Sequence, residues 1–195
     1  MRHTADTDAD SHPDPGHFRP HAALADQLRG LEPSCGPVRI VAVDGPSAAG
    51  KSTFSAELSS ALGGAPVVHS DDFPVPWDGD PLAWWPPLTA LVLEPLSAGR
   101  AGRFRRYDWR HGTYAEETEI PVAPVVVIDG VGAARAEAPA AFRIWVEAPC
   151  DVRRRRAAER GDDLAAWDHW AGTEAKLFAA DRTRERADLV IDGNP

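Results

Sequence analysis

The residues with the most chemical potential fall in one run, Val41 to Thr53, VAVDGPSAAGKST. An apolar stretch gives way to glycine and small residues and ends in Gly50, Lys51 and Ser52. Gly45 and Gly50 enclose four residues and are followed at once by a lysine and a hydroxyl. That spacing suits an anion. The amides of Gly45, Ser47, Ala48, Ala49 and Gly50 can turn inward around a phosphate, and the helix that follows adds its partial positive charge. Lys51 would reach the outer phosphates of a nucleotide, Ser52 would ligate the bridging Mg2+, and Thr53 would complete the phosphate-binding set. In a chain with 16 glycines, chance supplies such a pattern in roughly one protein per thousand.

Carboxylates recur where apolar runs end: Asp44 after the first, Asp71 and Asp72 after the second, Asp129 after VVVI. A magnesium nucleotide needs a carboxylate near its metal, and a hydroxyl acceptor needs one that takes or orients its proton. Asp129 suits the metal, and Asp71 or Asp72 the hydroxyl. An Asp at a strand end equally caps the next turn, and for Asp44 and Asp72 the two readings weigh the same. Arg153, Arg156 and Arg160, three and four apart, share a helical face and would clamp a transferring phosphoryl group. Their alternative is a solvated face paired to Glu159 or Asp163. Trp77, Trp84 and Trp85 are candidates to stack on an acceptor ring, with simple packing as the alternative, and Tyr107 with Asp108 to hydrogen-bond sugar hydroxyls. Trp109, Trp145, Trp167 and Trp170 read as structural.

Periodicity places strands at 38–43, 65–69, 125–129, 142–147 and 187–192, and helices at 21–31, 53–62, 88–98, 151–160 and 164–182. The segment 74–87, PVPWDGDPLAWWPP, is too proline-rich for regular structure and reads as a functional loop. A hairpin is expected within 103–121, around His111 and Gly112. Strands alternating with helices predict an α/β fold of three layers: a five-stranded parallel sheet, helices on both faces, a hairpin insertion and an arginine-bearing lid. Ligands then sit at the carboxyl ends of the strands. The expected organisation is a tail over 1–20 and one domain over 21–195, with an acceptor-site insertion at 74–121 and a lid at 150–163.

A chain of 195 residues, 43% of them apolar, supports one well-buried core. The formal charge of −9 argues against a general nucleic-acid partner. Cys35 and Cys150 lack metal-ligand spacing and read as reduced thiols. No run reaches the length of a membrane span, and the polar, acidic opening lacks the apolar region of a signal peptide, so a cytoplasmic location away from the membrane is expected. His3, His12 and His17 read as solvated residues of a mobile tail.

Together these residues resemble the uridine kinase and related nucleoside kinases of the P-loop kinase group, over about 38–193. DGPSAAGKST is very like the family's DGPSGSGKST. SDDF is similar to its QDSFY, which puts Asp71 at the aspartate that activates the sugar hydroxyl. RRYDWRHG resembles its nucleoside-contacting PxYDFxxHxR, matching Tyr107 and Asp108, with Arg105 for the proline, His111 one position early and no closing arginine. VIDGV resembles the strand ending in EG, with Asp129 for glutamate, and RRRRAAERGDD the arginine-bearing lid at a shorter spacing. DDF followed by WDG is more similar still to uridine-kinase-like ATP-binding proteins. The resemblance implies transfer of the γ-phosphoryl group of ATP, with Mg2+, to a hydroxyl of a nucleoside or nucleoside-like acceptor. The alternatives are another small metabolite or antibiotic-like alcohol as acceptor, or a non-catalytic ATP-binding protein. A guanine-reading NKxD segment is impossible with Asn194 as the single asparagine. Trp77, Asp78 and Asp80 make the acceptor loop aromatic and acidic, which favours a neutral or cationic acceptor.

Overall fold

The computed structural model describes residues 20–194, so the tail and its three histidines lie outside the described residues. In chain order the strands are β1 (Arg39–Asp44), β2 (Val67–His69), β3 (Gly102–Asp108), β4 (Thr113–Ile120), β5 (Val125–Asp129), β6 (Ala140–Glu147) and β7 (Leu189–Asp192). Five of them form a parallel sheet in the order β2-β5-β1-β6-β7, while β3 and β4 pair antiparallel as a separate hairpin. The register sets Val43 beside Asp129 and His69 beside Asp129, so three strand ends meet at one carboxyl edge.

Both faces of β1 and β5 are covered, as their unbroken apolar runs require. On one face Val41, Val43, Val125 and Val127 meet Leu24 and Leu28 of α1 (Pro20–Arg29) and Phe54 and Leu58 of α2 (Lys51–Ala61). On the other, Ile40, Ala42, Val126 and Ile128 meet Trp84, Leu88, Val92 and Leu96. These last belong to a continuous helical path: α3 (Trp85–Leu88), a π turn (Thr89–Leu93) and α4 (Glu94–Ser97). The end of the 74–87 segment is therefore helical, contrary to expectation. Pro86 and Pro87 fall in the first turn, where a missing amide loses no intrahelical bond. The wide π turn comes where Pro95, which also lacks an amide, enters the continuing helix.

The hairpin is seated by Phe104, stacked on Phe73 at 5.1 Å between ring centres, and by buried Ile120. After β6, α5 (Cys150–Arg160) stops at Gly161, whose φ is 84°. Asp163 then caps α6 (Leu164–Asp181) by accepting from the amides of Ala165 and Ala166. Phe178 of α6 packs edge-on against Trp145 of β6 at 4.7 Å.

Candidate active site

The loop between β1 and α2 owes its path to its glycines. Gly45 has φ 141°, and a Cβ there would lie 2.0 Å from the carbonyl oxygen of Val146; Gly50 has φ 106°. Ala48 takes φ 63° without a glycine's freedom. Lys51 Nζ donates to the carbonyls of Gly45 at 2.9 Å and Pro46 at 3.1 Å, while Ser52 and Thr53 are exposed at the start of α2. Ala49 is buried beneath the loop.

Two of the three candidate lid arginines meet this loop, and they do so at its carbonyls. Arg153 donates to the carbonyl of Ser47 at 3.2 Å, and Arg156 to those of Ala48 at 3.2 Å and Gly193 at 2.9 Å. Arg160 pairs instead with Asp162 at 2.6 Å. Ser47 is held elsewhere too. Its amide donates to both oxygens of Glu174, its hydroxyl donates to Glu174 at 2.7 Å, and the indole N–H of Trp170 donates to that hydroxyl at 2.9 Å.

Asp129 ends β5 in a buried position, with Oδ2 2.9 Å from His69 Nδ1. This hydrogen bond raises the His69 pKa, against the effect of burial. Asp44 is a cap: its carboxylate accepts from the amides of Gly45 at 2.7 Å, Gly132 at 3.0 Å and Ala134 at 2.8 Å, tying the phosphate loop to the turn after β5. Burial pushes its carboxyl up to about 7, against those donors and Lys51. The same turn holds Trp84 and Trp85 to the core. Their indole N–H groups donate to the carbonyls of Val131 and Gly132, and the rings are 1% and 6% exposed. Neither ring can stack on a ligand. Their place is behind Asp129, where the Trp84 indole satisfies the Val131 carbonyl and the Trp85 indole adds a second donor to the Gly132 carbonyl, which also accepts from the Arg135 amide at 3.3 Å.

After β2, Ser70–Asp72 form a 3-10 turn. Asp72 is buried, accepts from the amide of His69 at 3.0 Å and lies 3.4 Å from Arg106; burial raises its pKa. Asp71 is exposed, and among the described residues its carboxylate has the Ser70 hydroxyl, at 3.3 Å, as its one hydrogen-bond partner. Trp109, read as structural, is 51% exposed, and its indole N–H donates to the carbonyl of Asp71 at 2.7 Å, tying the hairpin to this turn. Tyr107 meets the Trp109 ring edge-on at 4.9 Å. Asp108 accepts from the amides of Arg110 and His111 and sits 2.7 Å from His111 Nδ1, so its acceptors serve the hairpin tip. Trp77, 42% exposed, packs edge-on against Trp170 at 5.6 Å, next to the phosphate loop.

His69, Trp109, Trp170 and Glu174 were not singled out for the site by sequence. For Glu174 a signal exists: Trp167, Trp170, Glu174 and Phe178 recur at helical spacing, so a carboxylate interrupts an apolar stripe. The donor set also fits a hard divalent cation. Ser52 offers an exposed hydroxyl, and buried Asp129 has one oxygen on His69 and a second with which to meet a cation, both hard oxygen donors of the kind Mg2+ takes.

A glycine-bounded loop leaving the middle strand of a parallel sheet, with a carboxylate ending the neighbouring strand, is the arrangement of the P-loop fold. No protein-family model matches the chain. It is 29% identical over 153 residues to the cytidylate kinase of Natronomonas pharaonis, covering 78% of this chain and 74% of that one. Its structure is similar to that of a possible uridine kinase from Bacillus stearothermophilus, with a TM-score of 0.63 and 20% identity over 88% and 97% of the two chains. A candidate fructose transport system kinase from Silicibacter sp. TM1040 follows at 0.59 and 22% identity, over 87% and 98%. The fold is that of the P-loop kinases. Among the described residues no helix is long and apolar enough to cross a membrane.

Proposed function

We propose that the protein is a small-molecule kinase, moving the γ-phosphoryl group of ATP to a hydroxyl of a nucleoside or nucleoside-like acceptor. The observation that carries this reading is the convergence of the phosphate loop, Asp129 and the Ser70–Asp72 turn on one carboxyl edge of the sheet. The sequence relative and the structural neighbours, all named as kinases, support it.

Lys51, once drawn off the Gly45 and Pro46 carbonyls, neutralises charge on the β and γ phosphates. Ser52 and Asp129 would hold Mg2+, which would offset phosphate charge there. Asp71 takes the acceptor proton: the new bond joins the acceptor oxygen to phosphorus, the bond to the bridging oxygen breaks, and ADP leaves with that electron pair. Asp71 is favoured over Asp72 because its carboxylate is exposed, whereas that of Asp72 is spent on His69 and Arg106. Arg153 and Arg156 brace the loop from its carbonyl side, and Arg156 adds positive potential beside the phosphates. A cytoplasmic location accords with this use of ATP.

A second acceptor class is favoured by Trp84 and Trp85 lying in the core and Asp108 being occupied at the hairpin tip. Fewer groups then remain for a nucleoside's base and sugar, so another small alcohol fits too. The test is purified protein with magnesium and ATP against nucleosides, nucleoside monophosphates, sugars and other small alcohols, following ADP and confirming products by mass. Acceptor-dependent ADP release with a phosphorylated nucleoside supports the first class, and a phosphorylated sugar or other alcohol the second. ATP binding with no turnover on any of them points to the non-catalytic reading.

A further inference from the structure

Glu174 presents a problem that the catalytic scheme leaves open. Its side chain, on α6, is 1% exposed, yet it stands against a loop built to receive polyphosphate, where a negative charge is a liability. The charge is matched by Arg153, 12% exposed, at 3.1 Å, and the Arg153 guanidinium lies 5.5 Å over the ring of Trp167. All three polar atoms of Ser47 are engaged by this knot: the amide and hydroxyl by Glu174, the hydroxyl again by Trp170, the carbonyl by Arg153. The next residue, Ala48, is held in the left-handed region, a conformation that costs a non-glycine residue about 1 kcal/mol and persists only where its surroundings impose it.

We infer that Glu174 is a positioning residue for nucleotide binding: with Arg153 it fixes Ser47 from outside, and so fixes the turn at Ala48 that opens the loop's remaining amides to phosphate. The inference rests on the nucleotide-binding reading of the loop. It makes α5 and α6 a support for the loop that is in place before the nucleotide arrives, which lowers the ordering cost of binding.

Electrostatics and positioning predict opposite signs, and that makes the test decisive. Glu174→Gln removes a negative charge from beside the phosphates, so charge alone would tighten binding. Replacing one carboxylate oxygen by an NH2 group, which cannot accept from Ser47, loosens the anchor and weakens binding. Titration calorimetry with Mg-ATP, well below the melting temperature of each variant, should give about tenfold weaker binding for Glu174→Gln, the scale of one hydrogen bond to a charged group. Ser47→Ala, which keeps the amide contact and the buried charge pair, should weaken binding less. The double variant should be little worse than Glu174→Gln alone, because both changes cut the same anchor. Unchanged or tighter binding by folded Glu174→Gln would overturn the inference. If that variant does not fold, Ser47→Ala at wild-type affinity does so. Wild-type protein that binds no Mg-ATP would instead defeat the reading of the loop itself, a separate outcome.

Discussion

At the residue scale the scheme separates binding from chemistry. Lys51 rests on the loop's own carbonyls, while Asp71 follows a different strand end, its carboxylate beside the Ser70 hydroxyl. Lys51→Ala should therefore weaken Mg-ATP by about tenfold or more, read by calorimetry. Asp71→Asn should leave that affinity within about twofold and lower single-turnover transfer by about 100-fold or more, the scale of one general base. Near-normal transfer by Asp71→Asn would move the proton-accepting role to Asp72. The present contacts of Asp72 assign it to holding the turn, and Asp72→Asn should then show mainly as lost stability.

At the scale of elements, the tryptophans of 74–87 divide by what they support. Trp84 fills the core against the sheet and donates to Val131, so Trp84→Ala should cost about 3–5 kcal/mol in denaturant unfolding. Trp85→Phe trims the ring and removes one of two donors to the Gly132 carbonyl, which keeps the Arg135 amide, at about 1 kcal/mol. Trp77→Ala, at an exposed ring, should stay below about 1 kcal/mol. An equal cost at Trp77 and Trp84 would contradict the division. The same segment shows what was legible beforehand. β1 and β5 were readable because double-sided burial forces continuous apolar runs, and the hairpin because its turn residues interrupt an alternating pattern. The phosphate loop was readable because its backbone demands glycine at fixed places. Which tryptophan enters the core was not, since an indole suits either setting and its partner carbonyls at 131 and 132 lie far along the chain. Spacing puts Arg153, Arg156 and Arg160 on one helical face, but their partners were not legible: the first two reach loop carbonyls from far along the chain, and Asp162 just past the helix end engages the third.

For the whole molecule, Asp44 links the fold to its pH dependence. Its carboxyl is wholly buried and pushed up to about 7 from an ordinary value of 3.8, so between those limits the folded state binds a proton that the unfolded state releases. Stability must then fall as pH rises through that window, by up to about 1.4 kcal/mol per pH unit for one unmatched proton. His69 acts in the same direction: its pKa is raised on folding, so its contribution is complete below 6.5 and is lost as pH climbs through the folded value. Glu147 opposes both at the acid end. Arg184 lowers its pKa from 4.5, so its contribution is present above that value and disappears as pH falls below it. Stability should peak in weakly acidic buffer, and the melting temperature in magnesium-free solution should drop by roughly 3 °C per pH unit between about pH 5.5 and about pH 7. Asp44→Asn should melt lower throughout, having lost a carboxylate oxygen that two loops share, and should show a shallower slope across the window. A wild-type melting temperature that is flat or rising there would mean that Asp44 is ionised at its three amide donors. It would then join the phosphate loop to the turn behind Asp129 as a charged cap.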